Sequence, residues 1–147
     1  MTSHESIFRI YYEDTDASGV VYHGSYINFF SRGRMEWLRA QTELYQAIQD
    51  EKLGIPVFKI SVQYHKPLVL DDEILVRSQL MVFKRTYAVF SQEIFRYNGQ
   101  VLGDRVASGE VHIACVNQQG KPQKWPRHAQ YSQVFENIMK EQVDGRG

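Results

Sequence analysis

Hydrophobic and polar positions change their spacing once along this chain, and the change separates a helical part from a strand-rich part. Between Ser25 and about Gln49 there is no proline, and apolar residues recur every three or four positions, as on one face of a helix. Pro56 ends that segment. From Phe58 to Tyr64 apolar and polar residues alternate, which is the period of a half-buried strand. The pattern predicts one long helix followed by strands.

Further apolar runs predict four more strands and a final helix. The strands cover Ile7 to Tyr12, Ile74 to Phe83, Tyr87 to Phe95 and Val101 to Val116, and the helix covers Arg127 to Gln142. Asn98-Gly99 favours a tight hairpin, because the central positions of such turns need positive φ. One helix cannot cover both faces of a five-stranded sheet. We therefore expect an α+β fold, with one antiparallel sheet wrapped around a central helix, and a second subunit against the remaining surface.

Composition and charge exclude several classes of protein. The chain has 147 residues, the size of one ordinary domain, and we expect a single domain over residues 1–147. Seventeen basic residues balance seventeen acidic ones, so there is no bulk attraction to nucleic acid. No apolar stretch approaches the roughly 20 residues that span a bilayer, and no signal-peptide pattern is visible, so a cytoplasmic protein without a membrane span is expected.

Cysteine and histidine positions argue against a disulfide and against a metal site. Cys115 is the only cysteine, which excludes an internal disulfide and a cysteine-rich metal site. It lies in an apolar run, where a buried and unreactive thiol is expected. His65, His112 and His128 do not have the spacing of metal ligands. No metal is predicted.

The segment between the first strand and the long helix carries the candidate chemistry. The strand leads into a loop with Asp14 and Asp16, Gly19 follows, and the helix begins near His23 to Ser25. The first turn of a helix has backbone N–H groups without partners, which form an anion site. A carboxylate beside such donors has the parts for attack on a carbonyl, namely a base or nucleophile and an oxyanion hole.

This segment resembles the active-site signature of the 4-hydroxybenzoyl-CoA thioesterase family. The residues that meet the fixed positions of the signature are Arg9, Ile10, Thr15, Asp16, Gly19, Val20, Val21, His23 and Tyr26. The fuller string Tyr-x-x-Asp-Thr-Asp-x-x-Gly-Val-Val-Tyr-His is most similar to the Tol–Pal-associated acyl-CoA thioesterase branch. The order of elements also resembles the hotdog fold through about Pro126. The resemblance thus implies a hotdog thioesterase domain.

The resemblance implies roles for three residues of the loop and helix entry. Asp16 would attack the thioester carbonyl as a nucleophile, or activate a water as a general base, and the sequence does not separate the two routes. Backbone N–H groups around His23 would polarise the carbonyl oxygen. The side chains of Tyr12 and His23 are similar to participants in the closest branch.

The resemblance also implies a ligand and an assembly. In the family a basic pair, here in the turn Lys84-Arg85-Thr86, approaches the CoA phosphates, often across subunits. The expected substrate is an acyl-CoA, no resident cofactor is expected, and the expected state is a homodimer or homotetramer. One departure concerns the helix, where the family often has Phe-Glu-x-Ala-Arg. Here Ser31 replaces the acidic residue and Gly33 costs the helix about 1 kcal/mol relative to alanine, which puts the substrate preference in question.

Structural alternatives stand beside each of these roles. Asp16 can serve as a loop cap, the His23 side chain can cap the helix entry, Tyr12 can pack at a strand end, and the basic turn can simply be solvated. A hotdog protein that binds acyl-CoA or acyl carrier protein without hydrolysis is the alternative function. A calcium loop fits poorly, because Ser25 stands where a bidentate glutamate is needed. A phosphatase with an Asp-x-Asp pair lacks the required alternation of strands and helices.

Overall fold

The computed structural model describes residues 3–126, which form two α-helices against one five-stranded antiparallel sheet. In chain order the elements are β1 (Ser3–Arg9), a 3-10 turn (Tyr12–Asp14), α1 (Ser25–Ala40), α2 (Thr42–Asp50), β2 (Val57–Tyr64), β3 (Glu73–Phe83), β4 (Tyr87–Tyr97) and β5 (Leu102–Ala114). The strands lie in the order β1-β3-β4-β5-β2, and every neighbouring pair is antiparallel. The predicted α+β class is confirmed. The helix predicted over 127–142 lies outside the described residues.

Helix α1 lies on one face of the sheet and buries its large aromatic residues there. Phe29 and Phe30 have no exposed surface, and the ring of Trp37 stands edge-on to Phe90 at 5.1 Å between centroids. Burial of one such side chain stabilises a fold by about 1.5–3 kcal/mol. Hydrophobic burial along this face therefore holds α1, and with it the start of the helix, in a fixed position over the strands.

A buried polar network lies directly beneath α1. The Gln92 side chain, on β4, donates hydrogen bonds to the carbonyl oxygen of Phe30 at 2.8 Å and to the Ser78 hydroxyl at 2.7 Å. Gln92 and Ser78 have no exposed surface. A Cβ atom at Gly33 would lie 2.7 Å from both the Ser78 Oγ atom and the Val76 Cγ1 atom. Gly33 is therefore needed for the close approach of helix and sheet, which the sequence did not indicate.

The predicted helical segment from Ser25 to Gln49 is confirmed as helical, and it consists of α1 and the shorter α2 with a break between them. Gln41 leaves the helical region, with φ −94° and ψ 69°, and its N–H group bonds to the Leu38 carbonyl oxygen at 2.9 Å. The bend lets Leu44 and Ile48 of α2 return to the core. No glycine or proline marks this position, so only the burial of α2 explains the break. No helix within residues 3–126 is both long enough and apolar enough to cross a bilayer.

The first strand ends earlier than predicted. Its ladder with β3 stops at Arg9, and the chain turns at Tyr12 instead of continuing as a strand. The Asp14 carboxylate accepts a hydrogen bond from the Tyr11 N–H group at 2.9 Å, and the Asp14 N–H group bonds to the Tyr11 carbonyl oxygen at 3.0 Å. These two bonds close a turn at Tyr12–Asp14 in place of the predicted strand.

Two smaller expectations concern a hairpin and the cysteine. The predicted hairpin is present, but only Gly99 has positive φ (93°), because the Asn98 side chain accepts the N–H groups of Gln100 and Val101 instead. Cys115 is fully buried, as predicted, and burial raises the pKa of its thiol to about 11. The thiol is therefore protonated at neutral pH and is not a nucleophile there.

Candidate active site

The loop between β1 and α1 folds back on itself and brings its two ends together. Thr15 and Val21 form an isolated antiparallel bridge, and the Asp16 N–H group bonds to the Val20 carbonyl oxygen at 3.0 Å. Gly19 occupies the turn with φ 87°, a backbone conformation that residues other than glycine rarely adopt. These local bonds place Asp16 opposite the residues that lead into the helix.

Asp14 is buried and has a structural role. Its side chain caps the turn at Tyr11, and its carbonyl oxygen accepts hydrogen bonds from the Tyr22 N–H group at 2.9 Å and the Ser25 hydroxyl at 3.1 Å. Ser25 is the first residue of α1. Asp14 thereby ties the loop to the start of the helix through its carbonyl oxygen, while its carboxylate accepts the Tyr11 N–H group.

Asp16, in contrast, presents its carboxylate on the surface of the chain. One oxygen, Oδ1, accepts hydrogen bonds from the hydroxyl of Ser18 and from the Ser18 N–H group, the latter at 2.9 Å. The bond from the Ser18 hydroxyl lowers the pKa of Asp16, the backbone bond lowers it further, and the nearby His23 contributes in the same direction. Within residues 3–126 the other oxygen, Oδ2, has no hydrogen-bond donor. The carboxylate thus caps its own turn with one oxygen and leaves the second available.

The start of α1 presents backbone donors without acceptors. In the part of the chain that the structure describes, the N–H groups of His23 and Gly24 bond to no other group. Gly24 is the N-cap residue, and no side chain caps the helix. Unpaired amides at a helix N-terminus favour a negative charge, both through hydrogen bonds and through the helix dipole. This helix mouth, defined by His23 and Gly24, has the chemistry that an oxyanion hole requires.

Tyr12 and His23, whose side chains were predicted to take part in the reaction, both lie near the surface. The His23 ring lies 4.4 Å from the Tyr22 ring, centroid to centroid, and is exposed. Tyr12 is 82% exposed and lies in the 3-10 turn. The alternative that Tyr12 packs at a strand end is therefore wrong for the single chain. Its backbone carbonyl, but not its ring, contributes to the loop by accepting the Thr15 hydroxyl at 2.7 Å.

The basic turn lies at the other end of the molecule. The hydroxyl of Tyr64 bonds to the His23 carbonyl oxygen, and Tyr64 pairs with Ala107 of β5. At the other end of β5, the Thr86 carbonyl oxygen accepts the N–H group of Cys115. Cys115 lies eight residues after Ala107, so at about 3.3 Å per residue these two residues are roughly 26 Å apart. Within one chain the structure therefore does not bring Lys84, Arg85 and Thr86 to the helix mouth.

An apolar cavity of about 120 Å³ lies near the C-terminal half of α1, away from Asp16. Its lining is mostly apolar and includes Leu38, Leu80 and Trp125, but neither Asp16 nor His23. Arg34 also contributes, and it donates a hydrogen bond to the Gln92 Oε1 atom at 3.0 Å. Burial lowers the pKa of Arg34 to about 10, so the side chain stays protonated at neutral pH. This cavity belongs to the core beneath α1 and is not part of the helix mouth.

Two residues of the site were missed from the sequence. Ser18 lies two positions after Asp16, the spacing at which an aspartate side chain accepts bonds from the following turn, so a local signal existed. Tyr64 holds the His23 carbonyl at 2.9 Å from 41 residues away along the chain. No local pattern indicates such a contact, because only the sheet brings β2 to the helix.

Comparison with known proteins agrees with this geometry. Residues 11–135 match the model of the "Thioesterase-like superfamily". The chain is 38% identical over 120 residues to "Acyl-CoA thioester hydrolase YbgC" of Escherichia coli O6:H1, with 81% of this chain and 87% of that protein covered. The YbgC proteins are the Tol–Pal-associated branch, so the predicted family and branch are confirmed.

Solved structures confirm the hotdog fold. A probable thioesterase from Bartonella henselae superposes with a TM-score of 0.71 at 30% identity, covering 86% of this chain and all of that one. A DHNA-CoA thioesterase from Staphylococcus aureus superposes with a TM-score of 0.83 at 21% identity, covering 99% and 96% of the two chains, and shows the fold alone. From the loop geometry, the family model and these relatives, the chain belongs to the thioesterase-like superfamily and to its YbgC branch.

Proposed function

We propose that this protein hydrolyses the thioester bond of an acyl-CoA. The observation that carries the proposal is the exposed Asp16 carboxylate, on a loop that leads directly into a helix mouth whose His23 and Gly24 amides are unpaired within residues 3–126. The name of the Escherichia coli relative, an acyl-CoA thioester hydrolase, supports the same reaction. The proposed setting is the cytoplasm, since the single buried thiol of Cys115 needs no oxidising compartment.

The geometry supports a two-sided attack on the thioester carbon. The carbonyl oxygen accepts hydrogen bonds from the helix-mouth amides, which stabilise the negative charge of the tetrahedral intermediate. On the other side Asp16 acts by one of two routes. As a nucleophile it forms a mixed anhydride and expels CoA thiolate, and water then cleaves the anhydride. As a general base it accepts a proton from the attacking water. We propose His23 and Tyr12 as the side chains that contact the substrate beside it.

A direct assay tests the reaction. Purified protein is incubated with acyl-CoA substrates of short, long and aromatic acyl groups, and free CoA thiol is measured with Ellman's reagent. Release of thiol above the background rate supports the proposal. Tight binding of acyl-CoA by calorimetry without thiol release would overturn it and would favour the non-hydrolytic alternative.

The pH profile gives a first prediction about Asp16. The reaction needs the ionised carboxylate, and the Ser18 hydrogen bonds lower its pKa below the usual aspartate value of about 3.9. Activity is therefore present above that pKa and is lost only as the pH falls through it. In Ser18→Ala the hydroxyl bond is absent, the pKa of Asp16 rises, and the acid limb of kcat/KM moves to higher pH. Thioester loss measured by chromatography across the acid range tests this.

The matched control for this profile is Ser91→Ala, which removes a hydroxyl from β4 and leaves the Asp16 turn unchanged. Circular dichroism at each pH separates loss of ionisation from unfolding. An acid limb that is identical in the wild type and in Ser18→Ala would contradict the assignment of that limb to Asp16.

We propose that a second subunit completes the site, as a homodimer or a larger assembly of dimers. β2 is an edge strand, and Val57, Phe58 and Tyr64 on it are exposed at 43%, 57% and 48%. Exposed apolar edge strands are surfaces that proteins normally cover. A partner chain along β2 would also place its own basic turn near this helix mouth, which one chain cannot do.

Replacement of both basic residues tests the proposed CoA contact. We expect Lys84→Ala with Arg85→Ala to raise KM for acyl-CoA about 10-fold or more, because charged hydrogen bonds to phosphate contribute about 1.5–3 kcal/mol. KM for the acyl-pantetheine, which lacks the nucleotide phosphates, stays unchanged. The control is Arg77→Ala, whose guanidinium pairs with Glu5 on β1, the edge of the sheet opposite to β2.

Mixed dimers then show whether Asp16 and the basic turn of one active site come from the same subunit or from two subunits. If the basic turn serves the partner's helix mouth, subunits with Asp16→Asn and subunits with Lys84→Ala and Arg85→Ala form hybrids with one intact site. Hybrid dimers then recover about half of the wild-type kcat/KM per dimer, through a site with the wild-type KM. Mixtures whose active sites keep only the raised KM of the basic-turn variant, with exchange of subunits verified by native mass spectrometry, would show that both parts must come from the same chain.

A further inference from the structure

We propose that Tyr64 is a positioning residue of the oxyanion hole. Its hydroxyl donates a hydrogen bond to the His23 carbonyl oxygen at 2.9 Å. That oxygen belongs to the same peptide unit as the N–H group of Gly24, one of the two unpaired donors of the helix mouth. The inference rests on the proposed thioesterase function and adds to it a residue outside the loop and the helix.

The planarity of the peptide unit connects the two ends of this contact. In a trans peptide the C=O and N–H bonds point in opposite directions within one plane. The described residues contain no cis peptide. When the Tyr64 hydroxyl holds the His23 oxygen on one side, the Gly24 N–H group is therefore directed to the other side. Rotation of this peptide, which would turn the donor away from the substrate, requires loss of the Tyr64 hydrogen bond.

Tyr64 is itself held firmly enough to act in this way. It is the last residue of β2 and pairs with Ala107, which is fully buried. Its ring stands edge-on to Tyr26 at 5.2 Å between centroids and 82°, and Tyr26 is 3% exposed. The sheet and Tyr26 thus support one side of the ring, while 48% of Tyr64 is exposed in the single chain, and the hydrogen bond sets the position of the hydroxyl relative to His23.

The same helix entry is also held by the loop before it. The Ser25 hydroxyl bonds to the Asp14 carbonyl oxygen, and the Tyr22 N–H group bonds to the same oxygen. The peptide that joins His23 and Gly24 is flanked in sequence by these bonded residues, its carbonyl oxygen accepts the Tyr64 hydroxyl, and its N–H group has no acceptor within residues 3–126. An arrangement in which the carbonyl is held and the amide is left unpaired is the one expected of a preorganised donor.

The hydrogen bond also strengthens the donor. A hydrogen bond accepted by an amide oxygen polarises the peptide, and hydrogen bonds in such chains reinforce one another. The Gly24 N–H group becomes a better donor to the charge that develops on the thioester oxygen. Because the charge is larger in the transition state than in the bound substrate, the effect falls on kcat and not on KM.

Tyr64→Phe tests the proposal, since it removes one oxygen atom and keeps the ring against Tyr26. We expect kcat to fall about 3- to 10-fold, the effect of one neutral hydrogen bond, with KM unchanged. We also expect the amide 1H and 15N chemical shifts of Gly24 to move in protein labelled at glycine. That shift is measured without substrate, and a residue with only a packing role would not change it through its hydroxyl.

Two further variants separate the hydroxyl from the ring and from general effects. Tyr97→Phe removes a hydroxyl that has no hydrogen-bond partner within residues 3–126, and we expect wild-type kinetics and an unmoved Gly24 signal. Tyr64→Leu removes both ring and hydroxyl. Wild-type kcat in Tyr64→Phe together with loss of activity in Tyr64→Leu would assign the role to ring packing and overturn the proposal.

Failure of this inference is distinguishable from failure of the proposed function. A wild-type protein that releases no thiol from any acyl-CoA contradicts the function itself. A wild-type protein that is active and depends on Asp16, but whose kcat and Gly24 signal are unchanged in Tyr64→Phe, contradicts only the role of Tyr64. A rise in KM with unchanged kcat would also overturn it, because it would place Tyr64 in substrate binding.

Discussion

Asp16→Asn is expected to reduce kcat for acyl-CoA hydrolysis by about 10³-fold or more while the fold is retained. An amide can neither accept the proton of the attacking water nor form the mixed anhydride, and loss of a general base or nucleophile typically costs about 10²–10⁴-fold or more. The side chain is exposed and keeps its shape, and the amide oxygen still accepts the Ser18 bonds. Thiol release under saturating substrate, with Tm as the test of folding, measures the effect.

The matched control is Asp71→Asn. Asp71 is also exposed, and its φ of 74° is one that asparagine tolerates, so the same chemical change is made without strain. We expect it to have wild-type activity. Thiol release by Asp16→Asn within a few-fold of the wild type would remove Asp16 from the reaction, although the family assignment would stand.

Water labelled with 18O tests the mixed-anhydride route for Asp16. If Asp16 forms a mixed anhydride and water attacks its own carbonyl carbon, a single turnover in H₂18O transfers 18O into the Asp16 carboxylate, and mass spectrometry of the peptide detects it. If Asp16 acts as a general base, the label appears only in the released acid. The lowered pKa of Asp16 makes it a weaker base in the free chain, so desolvation by substrate matters more for that route.

Gly33→Ala is expected to destabilise the protein by about 1–2 kcal/mol, although helix propensity alone predicts a gain of about 1 kcal/mol. The added Cβ would lie 2.7 Å from the Ser78 Oγ and Val76 Cγ1 atoms and 3.2 Å from Gln92 Nε2. Ser78 and Gln92 are fully buried and bonded to each other, so they cannot move aside at low cost. Chemical denaturation measures the free energy of unfolding, and Tm should fall by several degrees.

Ser31→Ala provides the comparison on the same helix. Ser31 is exposed, so the substitution changes helix propensity without a clash, and we expect a gain of at most about 0.5 kcal/mol. The two variants therefore have opposite signs. Stabilisation by Gly33→Ala would show that α1 and the sheet can separate more easily than the packing implies.

Local sequence patterns predicted most of the fold, and they predicted the loop of the site that carries Asp16. The alternation in β2 and the apolar runs of β3 to β5 predicted the strands within a few residues, because side-chain period and burial are coupled in a sheet. The loop from Asp14 to Gly19 was recognisable from the sequence alone, because its hydrogen bonds join residues that are close in sequence. The break at Gln41 had no local signal and follows from the burial of α2.

By itself, the sequence determined the strand and helix order, the loop with Asp16, and the unpaired start of α1, because each depends on residues within a few positions of one another. Only the tertiary structure decided that Tyr64 holds the His23 carbonyl, that Gly33 must lack a side chain, and that the basic turn at Lys84 lies at the opposite end of β5 from the helix mouth. These features depend on which strands become neighbours and how closely α1 approaches them. Packing of the whole core sets both, and no short stretch of sequence contains that information.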